Sequence, residues 1–297
     1  MKDQAHSLRR LVMERDITSP IKVFSVTSGK GGVGKTSIVV NIAIMLASIG
    51  KKVLVLDADL GLANVDMILG LIPKYNIRHV LEGECSIEDI LLDGPGGIKI
   101  IPASSGVQEL ADLSYEQQIS LTNALDYFSQ EMDYMLVDTG AGISKNVMYF
   151  NMSVQRIILV VTPEPTSITD AYALIKVVRK KYGIKRFNLI INNVLSIIEG
   201  EGVAEKLRFA CERFLGDVSL DMLGSIPYDK HIPECVRGQK AFVGVYPRSI
   251  TAQRLKSIAK GLNSISNLVE ENGNMQFFLR RMLLEQTGGV NNAGHGV

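Results

Sequence analysis

The sequence predicts a doubly wound α/β fold, a mostly parallel sheet with helices on both faces. Two observations carry that expectation. Short runs rich in valine, isoleucine and leucine are continuously apolar, as strands buried on both faces of a parallel sheet are. Between them lie stretches with helical spacing of apolar residues, so strand and helix alternate along the chain.

The expected strands cover residues 22–27, 53–56, 98–101, 134–137, 156–161, 188–191 and 222–226, and helical periodicity spans 110–132, 167–182, 202–215 and 251–271. Residues 1–18 form a polar tail with a short helical pattern at Leu8, Leu11 and Val12, closed by Pro20. One domain is expected over 19–272, ended by Asn272, Gly273 and Asn274. A short apolar-basic helix is expected over 273–286, and the Gly- and Asn-rich 287–297 reads as a disordered tail.

Hydrophobic residues make up 46% of the 297 and charged residues 21%, ordinary for a globular protein. The net charge of +1 gives no global case for nucleic acid or acidic partners. A local basic patch stays open. Cys85, Cys211 and Cys235 form no C-x-x-C pair, so spacing suggests neither zinc nor redox chemistry. The longest apolar run, 38–49, is broken by Asn41 and Ser48 and falls short of the roughly 20 residues a bilayer span needs. With no apolar signal-peptide core at the N-terminus, the expected location is cytoplasmic.

The first expected strand runs into Gly29-Lys30-Gly31-Gly32-Val33-Gly34-Lys35-Thr36-Ser37 and then a helix, which fits G-x-x-x-x-G-K-[ST] in its strand–loop–helix context. Gly31, Gly32 and Gly34 let backbone N–H groups point at phosphate oxygens. Lys35 is expected to reach the β- and γ-phosphates of ATP or ADP, and Thr36 to offer its hydroxyl to Mg²⁺. Lys30 is a second lysine that an ordinary P-loop does not need. It is either a solvated charge or a cation that contacts nucleotide across a dimer, as an arginine finger does.

The second strand ends in Asp57-Ala58-Asp59, at the strand edge where open parallel sheets bind ligands. Sharing a strand would point both carboxylates the same way. Asp59 is assigned to the attacking water and Asp57 to the metal. Asn64 and Asp66 are either ligand groups or local helix caps. A later apolar run ends in Asp138-Thr139-Gly140-Ala141-Gly142. Asp138 there supports Mg²⁺ in the Walker B manner, and Gly140 and Gly142 suit a loop that senses the γ-phosphate. With no obvious covalent nucleophile, direct attack by water is expected. Asn192 or Asn193 can bond an adenine edge, and backbone near Pro227 can border the base.

These motifs resemble the deviant Walker A, switch I and switch II elements of the ParA/MinD ATPases, over residues 21–272. The run Asp57 to Asp66 is similar to the MinD side of that family. Thr162 to Tyr172, Asp138 to Gly142, and Asp3-Gln4-Ala5-His6-Ser7-Leu8-Arg9 are similar to signatures of its flagellar-placement branch. The resemblance implies that Lys30 is the signature lysine, that Asp59 positions the hydrolytic water, that Asp138 is the switch II aspartate and that Asn192 is the base contact. It further implies an ATP-dependent homodimer. Asp3, Gln4, Ala5, Leu8 and Arg9 would dock on an SRP-type GTPase, FlhF, and stimulate it. Flagellar switch proteins or a flagellar transcription activator are further candidate partners. The C-x-x-C pair of the related iron–sulfur carriers is absent.

Met275, Phe278, Leu279, Met282 and Leu283 share one helical face, with Arg280 and Arg281 opposite. Such a helix can lie in a lipid interface, which would make the protein peripheral at the inner face of the cell membrane. Phe277 and Leu284 lie on the arginine side, so packing against protein is the other reading. A division-site MinD-type ATPase, a ParA-type DNA-partitioning ATPase and a regulator with a vestigial ATPase are the rival functions. Near-neutral charge argues against the DNA reading, and no specific nucleic-acid partner is expected.

Overall fold

The computed structural model describes residues 21–59, 65–76, 79–80, 82–102, 128 and 131–265. The expected helix at 110–132 falls largely outside them, as do both tails and residues 60–64.

The strands are β1 Lys22–Ser28, β2 Val53–Ala58, β3 Leu92–Asp93, β4 Lys99–Ile101, β5 Tyr134–Ala141, β6 Arg156–Val161, β7 Arg186–Val194 and β8 Ser219–Pro227. They form an 8-stranded sheet in the order β3-β4-β2-β5-β1-β6-β7-β8. Every pairing is parallel except β3 with β4. The two-residue β3 is too short to show any period and was not expected from sequence.

The helices are α1 Lys35–Ala47, α2 Val65–Leu69, α3 Lys145–Met152, α4 Pro165–Tyr182, α5 Ile197–Leu215, α6 His231–Arg237, α7 Phe242–Val245 and α8 Ile250–Ser264. Both faces of the sheet are covered. Phe150, Leu174 and Leu207 of α3, α4 and α5 pack in one core with Leu159 and Leu189. Val39, Leu46, Phe242 and Leu255 of α1, α7 and α8 pack in the other with Val26, Val55 and Leu136. Along β1, Val23 enters the first core and Phe24 the second. This two-sided burial is why the strands read as unbroken apolar runs.

Among the boundaries that differ from expectation, three have a clear local reason. Helix α5 begins five residues before the expected 202, because Ser196 accepts from the Glu199 N–H and the Glu199 carboxylate reaches back to the Leu195 N–H. Helix α8 stops at Ser264, not 271. Ile265 turns extended, and the Lys22 ammonium donates to its carbonyl at 2.7 Å and to that of Asn263 at 3.4 Å. Strand β5 continues through Ala141, where a loop was expected, because Ala141 pairs with Ser28.

Candidate nucleotide-binding site

The predicted site residues gather at the carboxyl edge of the sheet. The loop from β1 to α1 supplies the phosphate-binding segment. Gly34 caps α1 at φ 89° with no side-chain cap, so the first N–H groups of the helix are left for an anion. Gly32 is also left-handed, at φ 75°. Gly29 serves another purpose. A Cβ there would lie 2.2 Å from the backbone carbon of Asp170 in α4, so only glycine lets the loop approach that helix. Gly31 has neither constraint: its φ is not left-handed and a Cβ would meet nothing within 4 Å. The expectation that Gly31 is needed for the turn is corrected accordingly.

Lys35 is 8% exposed, and burial lowers its pKa, offset by the carboxylates of Asp138 and Asp59. Val33 is buried, and its carbonyl accepts from Asn192 Nδ2 at 2.8 Å. The Ser37 carbonyl accepts from Asn41 Nδ2 at 2.7 Å, and Asn41 Oδ1 accepts from the Val243 N–H at 2.9 Å. Asn41 thus ties α1 to α7, a role that no motif announces.

Asp57 and Asp138 stand opposite each other on neighbouring strands β2 and β5, both fully buried. Neither Asp138 oxygen has a partner in hydrogen-bond geometry. Its carboxyl is pushed up to about 7, chiefly by burial, with the charges of Asp57 and Asp59 adding. The nearby Thr36 hydroxyl and Lys35 ammonium hold it down only in part. A buried, partnerless carboxylate beside a threonine hydroxyl fits a divalent cation with its water shell. Thr36 and Asp138 are therefore the residues that would hold Mg²⁺.

Asp57, expected near the metal, also organises the backbone around it. Its Oδ1 accepts from the Asp59 N–H at 3.1 Å and its Oδ2 from the Val65 N–H at 3.0 Å. Strand β2 stops at Ala58, so Asp57 and Asp59 do not share it. Capture of the Asp59 N–H by Asp57 takes that residue out of the ladder. Asp57 also serves as the acceptor at the start of α2, while Asp66 is buried and bonds the neighbouring Met67 N–H at 2.8 Å. Asp59 is half-buried beside Gly140, where a Cβ would sit 3.4 Å from its Oδ1. The Gly142 N–H donates to the Ser28 carbonyl at 2.8 Å, holding the segment after Asp138 against the phosphate loop.

Lys30 donates to Glu164 Oε2 at 2.5 Å and to the Thr166 hydroxyl at 2.9 Å. Sequence reasoning flagged the run from Thr162 to Tyr172 but not this pairing, which needs the fold to bring β6 beside β1.

On the other flank, Asn192 is buried with Oδ1 unpartnered, a fit for the exocyclic amine of adenine. Asn193 is exposed and left-handed at φ 58°, on a bulge between β7 and β8. Only Asn192 can serve the loop. Pro227 ends β8 in register with Val194, and the Tyr228 N–H donates to the Val194 carbonyl at 2.9 Å.

A family model for ParA, described as an NUBPL iron-transfer P-loop NTPase, matches residues 20–263. The chain is 44% identical to the antiactivator FleN of Pseudomonas aeruginosa, over 89% of this chain and 94% of that protein. It is 37% identical to the flagellum site-determining protein YlxH of Helicobacter pylori, over 80% of each. Among solved structures, MinD in the MinC:MinD complex of Aquifex aeolicus aligns with a TM-score of 0.64 at 29% identity, covering 82% of this chain and 97% of that one. MinD of Pyrococcus horikoshii complexed with Mg-ADP aligns with a TM-score of 0.65 at 25% identity, covering 83% and 98%.

Proposed function

The chain belongs to the ParA/MinD family of P-loop ATPases, in the branch of FleN and YlxH, and from that premise we propose that it is an ATP-driven switch governing flagellar number and placement. The protein is an ATPase. The observation that carries the mechanism is the convergence of Lys35, Asp59 and the partnerless Asp138 at the mouth of the phosphate loop.

The loop N–H groups and Lys35 bind the phosphates. Bound Mg²⁺ supplies charge neutralisation at the phosphates. Asp57 fixes the backbone of Asp59, and Asp59 orients the attacking water beside Gly140. Asn192 holds the loop through Val33 and reads the adenine amine. Lys30 leaves Glu164 to reach the nucleotide of a second copy, so that ATP joins two copies and hydrolysis parts them.

The dimer doubles the C-terminal segments, and the effective concentration of the second makes membrane binding ATP-dependent. The N-terminal segment with Asp3, Gln4, Ala5, Leu8 and Arg9 stimulates a FlhF-type GTPase. The name antiactivator on the Pseudomonas relative favours a transcription activator as a further partner. A division-site role shares the ATPase but has no use for the segment from Asp3 to Arg9. GTP turnover by purified FlhF-type GTPase, with and without a peptide of residues 1–18, tests the flagellar role. Stimulation that vanishes on Gln4→Ala supports it; no stimulation of an active GTPase returns the protein to a generic MinD-like positioning factor.

A further inference from the structure

Three polar side chains meet where the core is otherwise apolar. Along β1, Ser25 and Thr27 share the face of Val23, which enters the core beneath α3, α4 and α5. Ser25, Thr27 and Asn151 of α3 are all fully buried. The Ser25 hydroxyl donates to Asn151 Oδ1 at 2.7 Å, and Asn151 Nδ2 donates to the Thr27 hydroxyl at 3.4 Å. The helix neighbours of Asn151, namely Met148, Phe150 and Met152, lie in the same core as Val137 and Leu159.

Packing does not account for this trio. Buried polar groups cost stability unless they are bonded. Apolar side chains of the same shape would hold α3 on the sheet as well or better. What a satisfied polar network adds is a single, rigid arrangement of the elements it joins.

That arrangement bears on the nucleotide site through both elements. Val147 lies one helical turn before Asn151, on the same face of α3. A Cβ on Gly140 would sit 3.4 Å from Val147 Cγ2 and 3.4 Å from Asp59 Oδ1, so the valine methyl and the carboxylate flank one spot beside Gly140. Strand β1 runs straight into the phosphate loop, where the Ser28 hydroxyl donates to the Lys30 carbonyl at 2.6 Å. The segment after Asp138 is already tied to β1 twice. The Thr139 hydroxyl donates to the Val26 carbonyl at 3.1 Å, and the Gly142 N–H to the Ser28 carbonyl at 2.8 Å. Asn151 adds a third tie, made through α3.

We infer that Asn151 is a positioning residue for hydrolysis: it fixes the height of α3 along β1, which sets Val147 against Gly140 and so places the Asp59 carboxylate relative to the phosphate loop. This role rests on the assignment of Asp59 to the attacking water given above. Asn151 itself contacts neither nucleotide nor water. Its trio lies on the sheet face opposite the one that packs α1, so its loss disturbs alignment without removing a phosphate contact.

The test compares four full-length proteins: wild type, Asp59→Ala, Val147→Ala and the triple variant Ser25→Ala/Thr27→Val/Asn151→Leu. Thermal midpoint, Mg-ADP affinity and phosphate release at saturating ATP are measured on each. The triple variant keeps the midpoint and ADP affinity of the wild type. It releases phosphate about tenfold more slowly, a part of the ~100-fold that a misplacement of roughly 1 Å costs. Val147→Ala, which leaves the trio intact and removes the contact at Gly140, also slows release. Wild-type release from the triple variant, or from Val147→Ala where the triple variant does not fold, overturns the inference and leaves the trio as core packing. Loss of ADP affinity in step with the rate overturns it too, by showing that the trio shapes the phosphate loop instead. Wild-type release from Asp59→Ala removes the assignment of Asp59 and this inference with it. Slow release from Asp59→Ala beside wild-type release from the triple variant removes this inference alone.

Discussion

Lys30 and Glu164 are joined at 2.5 Å across the gap between the phosphate loop and the start of α4. The lysine side chain is 37% exposed and the glutamate 63%, so solvent and salt screen the pair, and such pairs contribute about 0–1 kcal/mol. A contact this weak is readily exchanged for the phosphate of a second copy. Glu164→Gln therefore leaves the thermal midpoint nearly unchanged and favours ATP-dependent self-association by up to about fivefold in protein concentration. Light scattering across a dilution series checks it. Weaker association in the variant would mean that Glu164 supports the dimer instead of restraining Lys30.

Gly29 and Gly31 separate two reasons for glycine in one motif. Alanine at 29 drives a methyl into the Asp170 backbone. Overpacking of this kind costs about 1–3 kcal/mol, so Gly29→Ala lowers the thermal midpoint by several degrees and weakens ADP binding by displacing the loop. Gly31→Ala is expected to keep the midpoint of the wild type. Equal midpoints for both variants would contradict the close approach to α4.

Much of this site was legible in sequence because its parts are local. Lys35 and Thr36 close a glycine-rich loop that follows one apolar run and Asp138 ends another, and strand–helix alternation then fixes the edge at which they meet. Contacts made across the sheet were not legible. The pairing of Lys30 with Glu164 joins residues 134 positions apart, and the crowding of Gly29 by Asp170 depends on how closely α4 packs. The backbone contacts of Asp57 were not legible for a different reason. A carboxylate two residues from another looks like a second ligand, and nothing in the local sequence shows that its oxygens also accept from the N–H groups of Asp59 and Val65. The end of α8 at Ser264 was hidden because the periodicity continues beyond it, while Lys22, from the other end of the chain, holds its last carbonyls.

Asp138 gives the nucleotide-free protein a pH dependence of definite sign. Its carboxyl titrates at about 7 when folded, against an ordinary value of 3.8. Between those values the folded state holds a proton that the unfolded chain has released. Stability from this group therefore falls as pH rises through that window and levels off above it. The swing is on the order of a few kcal/mol at most. Asp138→Asn removes it, so urea midpoints of variant and wild type converge at about pH 4 and part near pH 8, the variant being the more stable there. Parallel curves for the two proteins would show that Asp138 is ionised in the free state.

Asn192 and Asn193 differ in what they touch. Loss of a buried hydrogen bond that leaves a carbonyl unpartnered costs roughly 1–3 kcal/mol. Asn192→Ala frees the Val33 carbonyl, and it reduces both stability and ATP affinity. Asn193→Gly, at a left-handed exposed position, leaves both unchanged. Denaturant titration and nucleotide binding on the two variants distinguish them.

The most direct test of the switch is the mass of the Asp59→Ala protein in solution with ATP and Mg²⁺, compared with ADP. The account predicts a lasting dimer with ATP, a monomer with ADP, and phosphate release at least tenfold slower than wild type, as expected when a water-orienting carboxylate is removed. A variant that turns over ATP at the wild-type rate, or stays monomeric with ATP bound, would contradict the assignment of Asp59 and the ATP-gated dimer built on it.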